Sequence, residues 1–474
     1  MPGAITRMGV AYKKEIDRII SNILDDNLDP NTFNVTMTFV SKITQDSISL
    51  SREIDSINIK QDFILNYTDK ITAKLSLTNA NYKWFIYNRN DLFCKLTFTK
   101  VNLRRKIPRT GTPLIERTYR CIILTTADID KILPAGVNED KDKPKLDRNL
   151  AFYNLEIELI EDKIYRARKL RLNAIARGDG KDSVDIETMI YFAIGYFGFT
   201  KACVVTPDND KKYENFVIPP SYGIRDIMGF FQTSPGHGVY SNGFCSYITN
   251  ECWFVYPRYG AYLTKYPVHF YKLAPGMLAG ANAYDWKEVP ADGSDVTVHI
   301  LLPDDVEERN VSLLGYENHP NTFSMQMSEN VIDNCRTVME DNVFLMEPRI
   351  RNSAFEVNPM DIPDEDNSIS LEFRYSHSNM YTIKSESVAY DQTELNLLWR
   401  MAVPFTMTPG TIVSFNYEHR SGDDLVMKTM FGACEYVEYN FVRDKESRLY
   451  PVFTGIANIR LACNNHLARS GGMV

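Results

Sequence analysis

The densest grouping of side chains able to do chemistry is His237, Cys245 and Cys252, an imidazole and two thiols in one short stretch. Those are donors that zinc takes, and the two cysteines fall on opposite arms of an expected hairpin, where same-face neighbours can approach. The trio lacks a fourth ligand and the usual metal spacing, so no metal is expected there. The other histidines, His269, His299, His319, His377, His419 and His466, stand apart from one another, and none has the i, i+4 partner of a helix-borne site. No GxSxG or HExxH string offers nucleophilic or metal-assisted hydrolysis. The GDGKDS run from Gly178 to Ser183 matches a phosphate-binding loop only in part. Ile175 stands where that loop needs its first glycine, and Asp182 where it needs a hydroxyl, so a turn leading into a helix is expected. The acidic runs Asp304, Asp305, Glu307, Glu308 and Asp361, Asp364, Glu365, Asp366 lack the calcium-loop pattern and read as solvated loops. No catalytic, cofactor-binding or metal residue is assigned. A cell-wall hydrolase using His237 and the acidic loops is retained as an alternative.

The totals exclude several partner classes. A chain of 474 residues with net charge −8 exerts no long-range pull on phosphates or an anionic membrane surface, so neither stable nucleic-acid binding nor a membrane partner is expected. The amino terminus lacks the apolar core of a signal peptide, and the most apolar window, Met189 to Phe199, falls short of the ~20 residues that span a bilayer. Asn34, Asn66 and Asn310 match the glycan sequon by chance on that reading. The scattered cysteines, Cys94, Cys121, Cys203, Cys245, Cys252, Cys335, Cys434 and Cys463, form no CxxC pair and read as free, mostly buried thiols. With 27 Tyr and 25 Phe the composition favours strands and protein contact surfaces.

The elements that position these side chains follow from periodicity. Ile16, Ile19, Ile20, Ile23 and Leu24 mark a helix from about Tyr12 to Leu24. From Val35 the period becomes two, and Phe93–Val101, Arg117–Leu124 and Phe152–Ile160 also read as strands. Gly136 to Asn149 is charged and apolar-poor, an exposed loop. Lys163 to Arg171 reads as an exposed basic strand. Ser183 is positioned to cap a helix through Ile186, Met189, Ile190, Ala193, Ile194 and Phe197, stopped by Gly198. Pro219 and Pro220 precede Ser221 as the cap of a short helix through Ile224, Ile227, Met228 and Phe231. Phe244–Ile248 and Cys252–Tyr256 then form a hairpin over a three-residue link, Thr249 to Glu251. Strand character returns at Val296–Leu302, Ser368–Tyr375, Thr411–Tyr417, Cys434–Val442 and Ile456–Ala462. The expected fold is multidomain and mainly β with α+β: an amino-terminal helix over 1–30, a β-barrel-like domain over 31–176, a small α+β domain over 177–260, a second β-barrel-like domain over 261–462 and a flexible tail over 463–474.

The block from about Ile164 to Gly260 resembles the central part of baseplate hub proteins from contractile-tailed bacteriophages. The likeness rests on Ile218-Pro219-Pro220, the helix after it, the glycine-flanked Tyr240 before Gly243, and Phe254-Val255-Tyr256-Pro257, where Phe254 replaces a tyrosine. It covers roughly a fifth of the chain closely. The resemblance implies a structural virion protein: a homotrimer forming a pseudo-sixfold ring that adapts the tail tube to the central spike. Its implied partners are copies of itself, the central spike protein, the tail tube protein and baseplate wedge proteins. Its implied location is the virion tail baseplate, after assembly in the host cytoplasm. A peripheral baseplate or receptor-binding tail protein is the main alternative.

Overall fold

The computed structural model describes residues 6–7, 32–102, 107–108, 113–124, 153–177, 184–234, 237–258, 268–272, 296–300, 306–310, 381–382, 392–400, 402–421, 424–444 and 451–464. The chain is mainly β with an α+β region. The expected helix at 12–24, the loop at 136–149 and the strand at 368–375 lie outside the described residues.

Alternation builds the large sheet. In Thr32–Ser41 every second residue, Phe33, Val35, Met37 and Phe39, is fully buried, so one face of the strand is apolar from Phe33 to Phe39. Among the described residues, fifteen strands join in this sheet. Antiparallel pairings run from Asp424–Arg443 to Ile54–Asp62, Lys70–Leu77, Tyr153–Ile160, Ile115–Ile123, Leu92–Asn102, Thr32–Ser41 and Phe453–Asn464. The last of these pairs again with Asp424–Arg443, so the path returns to its start. Phe33, Phe98 and Phe441 meet edge to face inside that circuit at 5.1 to 6.1 Å between ring centres. Helix Asn79–Asn88, capped by the Thr78 side chain, packs on the same core through Tyr82 and Phe85, with Phe85 4.7 Å from Phe39.

Two long strands belong to more than this circuit. The first half of Asp424–Arg443 pairs with Ile412–Ser421, its second half with Ile54–Asp62. Phe453–Asn464 likewise pairs with Gln392–Arg400. Strands from early and late in the sequence therefore share one hydrogen-bonded path, and the change of neighbour in Asp424–Arg443 coincides with a bulge between Cys434 and Tyr436.

The α+β region has its own core. Strands Thr6–Arg7, Lys201–Val204, Cys252–Tyr256 and Cys245–Thr249 make a sheet in that order. Helix Ile186–Tyr196 packs Ile186, Met189, Ile190, Ala193 and Ile194 inward, as their spacing predicts. Its cap is Asp185, whose carboxylate accepts the Thr188 N–H at 2.7 Å, in place of Ser183; Gly198 ends it at φ +86°. The second helix is Ile227–Thr233, with Ile224 in the turn before it.

Three local expectations are corrected. Pro219 and Pro220 do not lead directly into the helix, which starts only at Ile227, but lie in strand Asn215–Tyr222; the ladder to Leu172–Arg177 skips from Ile218 to Tyr222, since proline has no N–H to give it. The hairpin link is two residues, Asn250 and Glu251, both left-handed at φ 51° and 58°, the conformation of a tight primed turn. Lys163–Arg171 is helix Asp162–Ala167 and a turn, because Asp162 and Arg166 pair one helical turn apart. Among the described residues no helix is long and apolar enough to cross a membrane. Ile227 is fully buried, so Ile227→Asp should cost more than about 3 kcal/mol by placing a carboxylate among apolar side chains. Chemical denaturation checks this, and wild-type-like stability would contradict the packing of that helix.

Candidate functional site

Buried carboxylates assemble where the hairpin Cys245–Tyr256 meets the large sheet. Asp69, 8% exposed, stands just before strand Lys70–Leu77. Its Oδ1 accepts from Gln61 Nε2 and from the Tyr247 hydroxyl, each at 2.9 Å, and its Oδ2 from the Thr249 hydroxyl at 2.7 Å. Phe63 packs edge-on against the Tyr247 ring at 4.8 Å, and Ile248 N–H donates to the Tyr67 carbonyl at 2.8 Å. Tyr247 is thus part of the large-sheet core although its strand belongs to the α+β sheet.

Two more acids complete the junction. Glu161, between Tyr153–Ile160 and helix Asp162–Ala167, accepts the Glu251 N–H at 2.8 Å, while Lys163 pairs with the Glu251 carboxylate at 2.5 Å. Glu435 is the extra residue of the bulge in Asp424–Arg443. Its side chain accepts from Arg258 Nε at 2.6 Å and lies 3.6 Å from Arg460, and its carbonyl accepts the Phe63 N–H at 2.9 Å. One residue therefore ties the chain leaving the hairpin to both long strands and to the first sheet segment. Removing one member of such a buried charged pair generally costs about 3 to 5 kcal/mol.

The sequence-derived residues occupy different places. Ile218 is buried and pairs with Ala174, whereas Pro219 and Pro220 are exposed beside it. Tyr240 is buried, its hydroxyl 2.5 Å from the Val205 carbonyl oxygen; Gln232 grips its backbone, accepting N–H from Val239 and Tyr240 and donating to the Tyr240 carbonyl at 2.9 Å. Gly243 takes φ 77°, which favours glycine. Tyr256 and Pro257 are buried where the hairpin ends, close to Arg258. These positions hold the hairpin's shape; Asp69, Glu161 and Glu435 seat it.

His237 is not gathered with the cysteines into a reactive centre. Its ring stacks on Phe216 at 4.2 Å and meets Tyr213 and Phe230 edge-on, and burial, then the Lys211 charge, hold its pKa below the ordinary histidine value. Cys245 pairs with Tyr256 and Cys252 with Thr249, at opposite ends of the ladder and roughly 13 Å apart at strand rise. Burial pushes both thiols up to about 12, far from a reactive thiolate. Of the seven described cysteines, none in a disulfide, only Cys203 is less than buried. Among the described residues no group of three potential metal ligands lies together.

No protein-family model and no curated protein matches the sequence. Among solved structures, the chain is similar to a Francisella PdpA-VgrG complex in its lidded form, with TM-score 0.36 and 10% identity over 92% of this chain and 53% of that one. It is similar to the lidless PdpA-VgrG complex at TM-score 0.36 and 9% identity, over 92% of this chain and 66% of that one. The chain thus spans between about half and two thirds of those PdpA-VgrG chains. It is also similar to the 43 kDa tail protein of prophage MuSo2 from Shewanella oneidensis, with TM-score 0.38 and 9% identity, over 91% of this chain and 97% of that one.

Burial, reinforced by the Asp69 charge and opposed by the Glu251 N–H, pushes the Glu161 carboxyl up to about 7. A raised carboxyl favours the fold while protonated: its contribution is complete below the ordinary value of 4.5 and is lost as pH rises through about 7. The stability at stake is on the order of 3 kcal/mol. Thermal melting from about pH 5 to about pH 8 should therefore show a falling midpoint that Glu161→Gln flattens. An identical pH slope in the two proteins would contradict this assignment.

Proposed function

We propose that this chain is a structural protein of a contractile phage tail, the central baseplate hub. Three copies form a ring of pseudo-sixfold outline that adapts the tail tube to the central spike. In this reading the eight-strand circuit is a β-barrel, and the later strands build a second β body that shares its two long strands. The segments 31–176, 177–260 and 261–462 are then β body, spacer and β body. The 177–260 unit, with Ile218, Pro219, Pro220, Tyr240, Gly243, Tyr256 and Pro257 as its pattern residues, braces the junction at which the two bodies share strands.

The observation that supports this best is the polar seat of the hairpin. Its chemistry lies in fixing one β element against another: Asp69, Glu161 and Glu435 spend their carboxylates on neighbouring backbone and side chains. An arrangement of that kind transmits force between two bodies, which is the task of an adaptor, and it aims no reactive group at solvent. Tail tube, central spike and baseplate wedge proteins are the partners proposed, with the virion baseplate as its location after assembly in the host cytoplasm.

Negative-stain imaging of the purified chain, with light scattering, tests the reading. Threefold rings with an axial opening are expected. A compact monomer at every concentration would contradict it.

A further inference from the structure

Helix Ile186–Tyr196 is about 16 Å long and separates two surfaces of opposite charge. At its carboxyl end the Tyr196 hydroxyl donates to the Arg171 carbonyl at 2.6 Å, and Arg171 Nη1 donates to the carbonyls of Arg168 and Leu170. The same Nη1 lies 2.7 Å from where a Cβ on Gly223 would stand, so the turns at 168–171 and 223–226 are in contact. Arg168 lies in the first of these turns and Arg225 in the second, so their contact brings the two cations to one end of the helix. Arg168, Lys169, Arg171 and Arg225 are exposed, and Glu158 and Asp226 are the carboxylates that act with Arg168 and Arg225 on the Tyr67 phenol. The nearby Lys163 and Arg166 have ion-pair partners, Glu251 and Asp162; among the described residues Arg168, Lys169 and Arg225 have none.

The cations frame apolar surface. Leu170 is 39% exposed, Phe192 39% and Tyr196 41%, with the two rings one helical turn apart. Arginine beside aromatic and aliphatic side chains is the composition of a protein contact, where rings supply buried area and guanidiniums pair with carboxylates. A nucleic-acid site needs a broad positive field, and this chain is net −8.

The other end of the helix carries the opposite sign. Asp185 caps it, and Glu187 stands in its first turn. Asp185 pairs across a short ladder with Lys212, which brings the exposed Asp210 and Glu214 to the helix start, against Lys211 and Lys212. An acidic chain with one basic, aromatic end and one acidic end has its complement on itself.

We infer that the basic end, Arg168, Lys169, Arg225 and the Leu170–Tyr196 surface, docks on the acidic helix-start surface of a second copy in a head-to-tail contact. A contact joining two different faces closes into a ring when its rotation permits, or otherwise extends. The inference rests on the self-assembly reading above and adds the surface that makes it. Two double variants of the full chain test it, Lys169→Glu with Arg225→Glu, and Asp210→Lys with Glu214→Lys, by sedimentation velocity. Each alone should self-associate at least about tenfold more weakly than wild type, and mixing them should restore association through reversed charges. Wild-type association should weaken between about 50 mM and about 500 mM NaCl as screening shortens. If wild type assembles but the variants assemble equally well, or mixing restores nothing, this surface is wrong and self-assembly stands. If wild type is monomeric throughout, both fail.

Discussion

Much of this structure depends on one carboxylate, Asp69, held 8% exposed between a sheet and a hairpin that are far apart in sequence. A lone ion in that position would be prohibitively costly, so the fold is viable only with its donors in place. Gln61 comes from the neighbouring strand, whereas Tyr247 and Thr249 come from the hairpin. Satisfying the acid and seating the hairpin are the same event. Once the hairpin is seated, its tight turn offers the Glu251 N–H to Glu161, and the chain leaving it brings Arg258 to Glu435.

The shared strands give that seat its reach. Asp424–Arg443 runs past the bulge at Glu435 from one set of neighbours to another, so a displacement at the hairpin is felt by strands from both ends of the chain. An apolar contact would give comparable burial with less directional preference; hydrogen bonds to fixed donors favour one register and one orientation. That trade suits a part whose role is geometry. The buried thiols and the aromatic cage around His237 have the same character, being packing groups with their chemistry suppressed by desolvation.

How much of this was legible in the sequence follows from the range of each interaction. The helix Ile186–Tyr196 was readable because its apolar spacing is local, and the hairpin because its two aromatic runs flank a turn. Strands Ile54–Asp62 and Gln392–Arg400 were missed, their alternation blurred by polar Gln61 at a buried position in the first and apolar Leu398 at a half-buried one in the second. The prolines misled, since Pro219 and Pro220 mark a bulged strand as readily as a helix start. Asp69 gave no signal, because its hydroxyl donors lie 178 and 180 residues away. Glu435 left a faint one: an acid interrupting the apolar run that begins at Ala433. The change of neighbours along two long strands is a pairing property that no local pattern carries.

The central claim is that Asp69 and the hairpin hold each other. A double-mutant cycle with Asp69→Ala, Tyr247→Phe and the pair, followed by denaturant unfolding of the intact chain, measures that coupling directly. This account predicts an interaction of about 1 to 3 kcal/mol between the two sites. Effects that add to within about 0.5 kcal/mol would contradict it.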